Sequence, residues 1–299
     1  MPEIVEVKRY ADFLKYHLKN NKIVNIKILK GRYKTHKPFK GYYMLVNSLP
    51  IKVTNVMTKG KFIYFIMDND MILFNTLGLS GGWVYSHNGD HMKHPTVHEF
   101  LNKNDVNDYR EMLLNHLNIM FELQNGFLYY FDMLSYGTMK IGTLEDLETK
   151  LSKIGPDFLD LNLTSNIFIE RIKKKTNLDK LIGNVLMNQK VVSGVGNYLR
   201  ADSLWIAQIS PHRLIKNLTD IELTTIFKSI RALVWSDYNY TKAIKLGFIK
   251  KGFKTAQKYG RDFFIYYYED DIHGNKVIKE EMYEGSQKRF IYWVKNVQK

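Results

Sequence analysis

The sequence predicts an α+β fold laid out in successive segments: a helix with a β-sandwich or flattened barrel, then helices, then a short β unit. Three observations predict it. Val7, Tyr10, Ala11, Leu14 and Leu18 recur near helical spacing within residues 3–20. From about 22 to 140 the pattern is that of strands, with Ile51 and Val53 alternating with Lys52 and Thr54, and an aromatic and β-branched run at Phe62-Ile63-Tyr64-Phe65-Ile66. Around residue 142 helical spacing returns. Two Asn-Gly pairs, Asn88-Gly89 and Asn125-Gly126, predict hairpin turns, the second between Ile119–Leu123 and Phe127–Phe131. Thr143, Asp146 and Leu147 open a short helix that stops before Gly155-Pro156. Further helices are expected over Leu178–Gln189 and Tyr198–Ala207. Thr219-Asp220-Ile221-Glu222 is a capping box ahead of a long helix to about Tyr238. After Tyr259-Gly260-Arg261, strands are expected at Phe263–Tyr268, Lys276–Tyr283 and Arg289–Val294. The expected domains are 1–142, 143–258 and 259–299.

Composition narrows the function classes. The absence of cysteine excludes disulfides, thiolate zinc sites and a cysteine nucleophile. No basic-then-apolar leader opens the chain and no apolar run approaches membrane-spanning length, so a soluble intracellular protein is expected. The net charge of +14 is unevenly distributed: residues 1–61 carry +11, residues 62–170 carry −9 and residues 171–299 carry +12. Basic ends around an acidic middle point to a charged face for a polyanion, with nucleic acid the leading candidate, against the alternative of solvated surface.

The opening residues Pro2-Glu3 carry the most chemistry. With Met1 removed, Pro2 presents a secondary amine, and an α-amino group titrates near pH ~8, so a useful fraction is neutral at physiological pH. Such an amine can attack an electrophilic carbon such as a sugar C1′ and form an iminium. Glu3 beside it can serve as acid or base. The alternative is that Pro-Glu only opens a helix, where both residue types are favoured. Further along, Lys61 begins a strand after Gly60, where a phosphate can approach. Val192-Ser193-Gly194-Val195-Gly196-Asn197 lies between predicted helices, and the helix that follows offers backbone N–H groups to an anion.

Six segments in order resemble the formamidopyrimidine-DNA glycosylase/endonuclease VIII family of base-excision repair. They are Pro2-Glu3 with Glu6-Val7; Lys59-Gly60-Lys61-Phe62; Leu77-Gly78-Leu79-Ser80-Gly81; Asp132 with Tyr136-Gly137; Gln189 through Asn197; and Tyr259-Gly260-Arg261 with the C-terminal strand pair. The resemblance spans essentially the whole chain. It implies Pro2 as nucleophile, Glu3 as general acid and Lys61 as a catalytic-site lysine. It also implies Glu6, Leu79, Tyr136, Asn197 and Arg289 as DNA-contacting residues, with Asn197 on a phosphate in a helix–two-turns–helix. Leu79 would fill the space of a base flipped into an interdomain cleft, and Tyr136 would wedge into the duplex.

Most family members close with a zinc finger. Here Lys288-Arg289-Phe290-Ile291-Tyr292-Trp293-Val294-Lys295-Asn296-Val297-Gln298 aligns with its last turn, and valine stands at both cysteine positions. This resembles the zincless finger of a Nei-like branch with giant-virus homologues. No metal and no cofactor are expected, and Ile291, Tyr292 and Trp293 should hold the hairpin by apolar packing. Three departures stand out: Ile4-Val5 replaces Gly-Pro beside the nucleophile, Leu134 stands where an arginine commonly reads the base opposite the lesion, and Leu79 replaces a frequent methionine.

The resemblance therefore implies a monomeric, bifunctional DNA glycosylase and abasic-site lyase that needs no membrane. Its partner would be damaged DNA, single- or double-stranded, with oxidised pyrimidines and ring-opened purines favoured. The competing readings are a non-catalytic damage or junction binder on the same fold, motivated by Ile4-Val5 and Leu134, and an RNA-binding protein sharing only the helix–two-turns–helix.

Overall fold

The computed structural model describes residues 2–89, 92–95, 111–284 and 287–299. The chain forms two compact units, Met1–Ser152 and Lys153–Lys299.

The first unit opens with α1 (Ile4–Leu18), whose inward stripe of Val7, Tyr10, Ala11, Leu14 and Leu18 is buried as its spacing predicts. Among the described residues, nine antiparallel strands form one sheet in the order β6-β5-β8-β7-β1-β2-β3-β4-β9. Their bounds are β1 (Lys22–Ile28), β2 (Ile51–Lys59), β3 (Phe62–Met67), β4 (Ile72–Thr76), β5 (Gly81–Ser86), β6 (Met92–Lys93), β7 (Leu117–Leu123), β8 (Gly126–Asp132) and β9 (Thr138–Gly142). β1 and β2 pair only at Lys22–Lys52 and Ile23–Ile51, and the sheet folds over at this short joint. Residues from both sides of the joint share one core. Trp83 of β5 lies 5.6 Å from Phe65 of β3, 5.3 Å from Phe121 and 5.3 Å from Tyr130, ring centre to ring centre. Its indole N–H donates to Asn75 Oδ1 at 3.0 Å, satisfying the polar end of a buried ring. The sandwich is thus one sheet facing itself.

Two short helices, α2 (Arg32–Thr35) and α3 (Tyr42–Asn47), lie between β1 and β2. The second hairpin turn falls one residue earlier than its Asn-Gly pair suggests. Leu123 pairs with Gly126, so Gln124-Asn125 makes the bend. Ser86 pairs with Met92 around the Asn88-Gly89 segment. The run Phe62–Phe65 is buried on both faces, and the reverse face explains why α4 (Leu144–Ser152) belongs to this unit. Lys150 lies over the Phe62 ring, and Lys59 Nζ donates to the Leu151 carbonyl at 2.9 Å, closing the C-terminus of α4.

The second unit departs more from expectation. The helix expected over Leu178–Gln189 is a single turn, α6 (Ile182–Val185). Its flanking backbone bonds sideways instead: Ile182 N–H donates to Arg213 O, Gly183 N–H to Pro211 O, and Ile215 N–H to Lys180 O. A helix absent from the expectation, α5 (Ser165–Ile172), starts at Thr164, whose side chain accepts from the Ile167 N–H. α7 (Asn197–Ile206) and the capping box of α8 (Asp220–Lys245) match the reading; α8 runs past Tyr238 across a kink at Asn239.

Phe263–Tyr268 is not a strand. The buried Asp202 carboxylate accepts from the consecutive N–H groups of Phe264, Ile265 and Tyr266, which wraps the chain around one side chain. The terminal β unit is therefore a two-stranded hairpin, β10 (Ile278–Glu284) and β11 (Gln287–Trp293), rather than three strands. Trp205, Phe264, Ile265, Tyr266, Tyr292 and Val294 form its core with α7, and Val297 packs against them.

Candidate active site and nucleic-acid interface

Glu3 is the N-cap of α1 and is 1% exposed. It forms a reciprocal capping box with Glu6, whose Oε2 accepts from the Glu3 N–H at 2.9 Å. Pro2 precedes the cap, half-buried and outside the helix. The pair therefore does open a helix, and the same arrangement fixes a buried carboxyl beside the proline. Ile4 and Val5 turn their side chains into the interior, where both are buried. The bulk that stands in place of Gly-Pro next to Pro2-Glu3 is spent in the core.

Lys61 lies on the turn from β2 to β3. Lys59 pairs with Phe62, leaving Gly60-Lys61 as a two-residue bend. The anchoring of Lys59 on α4 fixes one foot of that turn. α1 packs on β2, β3 and β5, so Pro2-Glu3 and the Lys61 turn sit on elements in contact.

Leu79 and Tyr136 belong to two loops joined by one buried carboxylate. Asp132, 2% exposed, accepts from Ser80 Oγ at 2.6 Å and from the Gly137 N–H at 2.6 Å. The Tyr130 hydroxyl donates to it at 3.5 Å, and burial together with the nearby Asp132 charge holds that phenol well above its ordinary pKa. Ser80 Oγ in turn accepts from the Leu134 N–H at 2.9 Å. The loops also touch directly. A Cβ on Gly78 (φ +62°) would lie 2.6 Å from the Gly137 nitrogen and 2.9 Å from Tyr136 Cβ, so only glycine fits. The result is a rim on which Leu79 (44% exposed), Leu134 (56%) and Tyr136 (61%) face solvent, with Met133 among them. Large apolar side chains held outward on rigid loops suit insertion between bases.

In the second unit a buried cation plays the corresponding part. Arg200, 0% exposed, donates from Nη1 to Gly183 O (3.3 Å) and from Nη2 to Phe290 O (2.7 Å) and Asn197 Oδ1 (3.2 Å). It thus ties α6, the first residue of α7, and β11 next to Arg289. With Oδ1 held by Arg200, the Asn197 amide Nδ2 has no hydrogen-bond partner among the described residues and is a donor available at a helix N-terminus. Gln189 shapes the preceding turn: its Nε2 donates to Met187 O and Val195 O, and its Oε1 accepts from the Gly194 N–H, each at 2.9 Å. Arg289 pairs with Met282 across the hairpin and is half-buried. One level deeper, burial pushes the Asp202 carboxyl up to about 6 against the pull of its three N–H donors.

Arg200 escaped the sequence reading. The sequence carries no signal for it: Leu199–Trp205 of α7 is buried throughout although it includes Arg200, Asp202 and Ser203, so no apolar run marks the arginine as internal. Among the described residues no group of three or more His, Asp or Glu is arranged to hold a metal ion, and no helix is long and apolar enough to cross a membrane.

The formamidopyrimidine-DNA glycosylase N-terminal domain family matches residues 1–139, and the formamidopyrimidine-DNA glycosylase H2TH domain family matches residues 154–246. The chain is 32% identical over 227 residues to the formamidopyrimidine-DNA glycosylase of Ureaplasma parvum, covering 73% of this chain and 72% of that protein. The chain belongs to the formamidopyrimidine-DNA glycosylase/endonuclease VIII family. The endonuclease 8 of Escherichia coli O157:H7 is a second relative, 26% identical over 228 residues, 76% of this chain and 75% of that protein. Among solved structures, the fold matches Lactococcus lactis formamidopyrimidine-DNA glycosylase bound to abasic-site DNA (TM-score 0.73, 20% identity, 99% of each chain). It also matches the same enzyme with DNA containing an oxidised pyrimidine (TM-score 0.74, 20% identity, 100% of each chain). At that identity the family shares its fold with this chain, and the chemistry rests on the residues themselves.

Proposed function

We propose that this protein is a bifunctional DNA glycosylase and abasic-site lyase of base-excision repair, acting on oxidised bases. The observation that carries the reading is the buried Glu3 carboxyl at the head of α1, adjoining Pro2, in a chain of this family. With Met1 removed, the Pro2 nitrogen attacks C1′ of the damaged nucleotide. The glycosidic bond breaks, and the departing base takes up the proton that the proline nitrogen loses. The sugar then opens: the C1′–O4′ bond breaks as Glu3, the general acid at the sugar, delivers a proton to O4′, and an iminium between the Pro2 nitrogen and C1′ remains. β- and then δ-elimination release the 3′ and 5′ phosphates, cutting the strand on both sides.

Each remaining residue has a task in this reading. Lys61, on the first unit, and Asn197 and Arg289, on the second, bond phosphates. The free Nδ2 of Asn197 at the start of α7 supports its part. Glu6 holds the N-cap geometry through its bond to the Glu3 N–H. Leu79 occupies the space vacated by the flipped base and Tyr136 stacks beside it, in line with their exposure on fixed loops. The C-terminal hairpin acts as a finger without metal, its place in the fold supplied by Val294, Tyr292 and the apolar surface of α7. Oxidised pyrimidines and ring-opened purines are the favoured lesions.

Glu3→Gln tests the assignment because it separates the two activities. Base excision needs a proton donor, whereas an abasic site already offers its aldehyde to the amine. Excision of an oxidised base should fall by ~10²–10⁴, with cleavage at a preformed abasic site falling much less. Equal losses in both would assign Glu3 to helix capping alone.

A further inference from the structure

The C-terminal hairpin has two faces, and Arg289 lies on only one of them. Cross-strand pairs alternate, so Lys279–Tyr292, Glu281–Phe290 and Tyr283–Lys288 share one face while Met282–Arg289 and Glu280–Ile291 share the other. On the face away from Arg289, Phe290 (41% exposed) and Tyr283 (55%) stand in solvent. Lys279 Nζ lies 4.8 Å from the Phe290 ring centre and 5.7 Å from that of Tyr292, and Lys288 Nζ lies 5.4 Å from Phe290. Lys288 and the Tyr283 hydroxyl both engage the Glu281 carboxylate, whereas Lys279 has no acid partner among the described residues. The ring that ends this row is held under strain. Tyr267 lies 5.5 Å from Tyr292 and 4.2 Å from Tyr266, ring centre to ring centre, yet remains 70% exposed. Its φ is +66°, in the left-handed region that a residue with a Cβ avoids. The backbone imposes it: the Asp202 carboxylate takes the N–H groups of Phe264, Ile265 and Tyr266, and the Tyr268 N–H returns to Ile265 O at 3.1 Å. Glycine would satisfy that turn without strain. A tyrosine gains little burial there, so its ring serves something outside the chain.

We infer that this face of the hairpin binds single-stranded DNA, with bases stacked on Tyr267 and Phe290 and backbone phosphates drawn to Lys279 and Lys288. It is a second DNA site, and it uses no residue of the proposed lesion chemistry. Exposed rings interleaved with cations match an unpaired strand, in which every base has a free π-face and every nucleotide carries a phosphate. An intact duplex offers no such faces, because its bases already stack on one another. An acidic peptide would match the lysines and leave the rings unused. An apolar partner would cover the rings and strip Lys279 of water without giving it an anion. As a base settles on Phe290, the Lys279 ammonium turns from the ring to the neighbouring phosphate, exchanging a cation–π contact for a charge-assisted hydrogen bond. Stacking reads no base edge, so a strand of any sequence is accepted.

Fluorescence anisotropy of the whole chain with a labelled oligothymidylate of about 12 nucleotides tests this face without requiring catalysis. Tyr267→Gly and Phe290→Ala should each weaken binding roughly tenfold, the loss expected when one stacked base is released. Tyr267→Phe should bind as wild type, because it keeps the ring and loses only the hydroxyl. Affinity for a duplex carrying a tetrahydrofuran abasic analogue should be unchanged in all three variants. Tyr267→Gly also relieves the backbone, so its Tm should not fall although its affinity does. Wild-type affinity for oligothymidylate in both Tyr267→Gly and Phe290→Ala would overturn the inference. Equal losses for oligothymidylate and duplex would overturn it as well, by assigning the rings to hairpin packing. A lower Tm in Tyr267→Gly would do the same, since the ring would then serve the fold.

Discussion

The two units build their candidate sites on opposite charges. In the first, the Asp132 carboxylate gathers donors from two loops and the rim it stabilises is apolar: Leu79, Leu134 and Tyr136. In the second, the Arg200 guanidinium gathers carbonyls from α6 and β11, and what it presents is polar: the Asn197 amide, with Arg289 next to the bonded Phe290. An anion collects N–H and O–H groups, which loops have to spare. A cation collects carbonyls and so can bridge separate elements through their backbones. In the proposed function the apolar rim of the first unit displaces bases, and the polar groups of the second unit, together with Lys61, grip phosphates.

The largest effect should come from removing these two residues. Arg200→Ala leaves a large void and orphaned carbonyls inside the second unit, a loss of roughly 3–5 kcal/mol by urea denaturation. Asp132→Ala should lose roughly 2–4 kcal/mol, because Ser80 and Leu134 can turn to water once the loops separate. A cost for Arg200→Ala below that for Asp132→Ala would mean that the bridging described for the cation is decorative.

How legible this was depended on how local the controlling contacts are. The helix α1, the Thr219 capping box and the alternation at Ile51–Thr54 were readable, since their patterns are complete within a few residues. The expectations that failed, a helix at Leu178–Gln189 and a strand at Phe263–Tyr268, are segments whose backbone N–H groups go to partners far along the chain: Pro211 and Arg213 for one, Asp202 for the other. The site divides the same way. Asp132 lies within a recognisable motif. Arg200 acts through backbone carbonyls of remote segments, and a carbonyl carries no sequence signature.

A smaller effect sharpens the functional side of the comparison. Arg289→Ala removes a proposed phosphate contact and should flatten the log–log dependence of duplex affinity on salt by about 0.9. Leu79→Ala should weaken binding to damaged duplex while leaving that slope unchanged. Equal slopes for both variants would erase the division of labour between the units.

The smallest effect is a difference of sign. Burial and the Lys93 charge lower His17, stacked on Tyr85, to about 4, so below pH 6.5 the unfolded chain takes up a proton that the folded chain resists. Stability of the first unit from this group is lost as pH falls from 6.5 through 4. Asp202 is raised from 3.8 to about 6, so its contribution is fully present below 3.8 and lost as pH rises through 6. Acidification from pH 6 to 4 should therefore loosen the first unit through His17 and tighten the second through Asp202. Amide hydrogen exchange resolved by unit, compared with His17→Gln and Asp202→Asn, should show slopes of opposite sign that flatten in the respective variant. Slopes of one sign in both would contradict the assignment.

The most direct test of the central claim is borohydride trapping on an oligonucleotide with a single abasic site. A Pro2 amine that forms an iminium with C1′ should be frozen as a covalent protein–DNA adduct that contains the N-terminal peptide. Pro2→Gly, or protein that retains Met1, should lose most of it. An undiminished adduct with Met1 in place would move the nucleophile to a lysine and contradict the account.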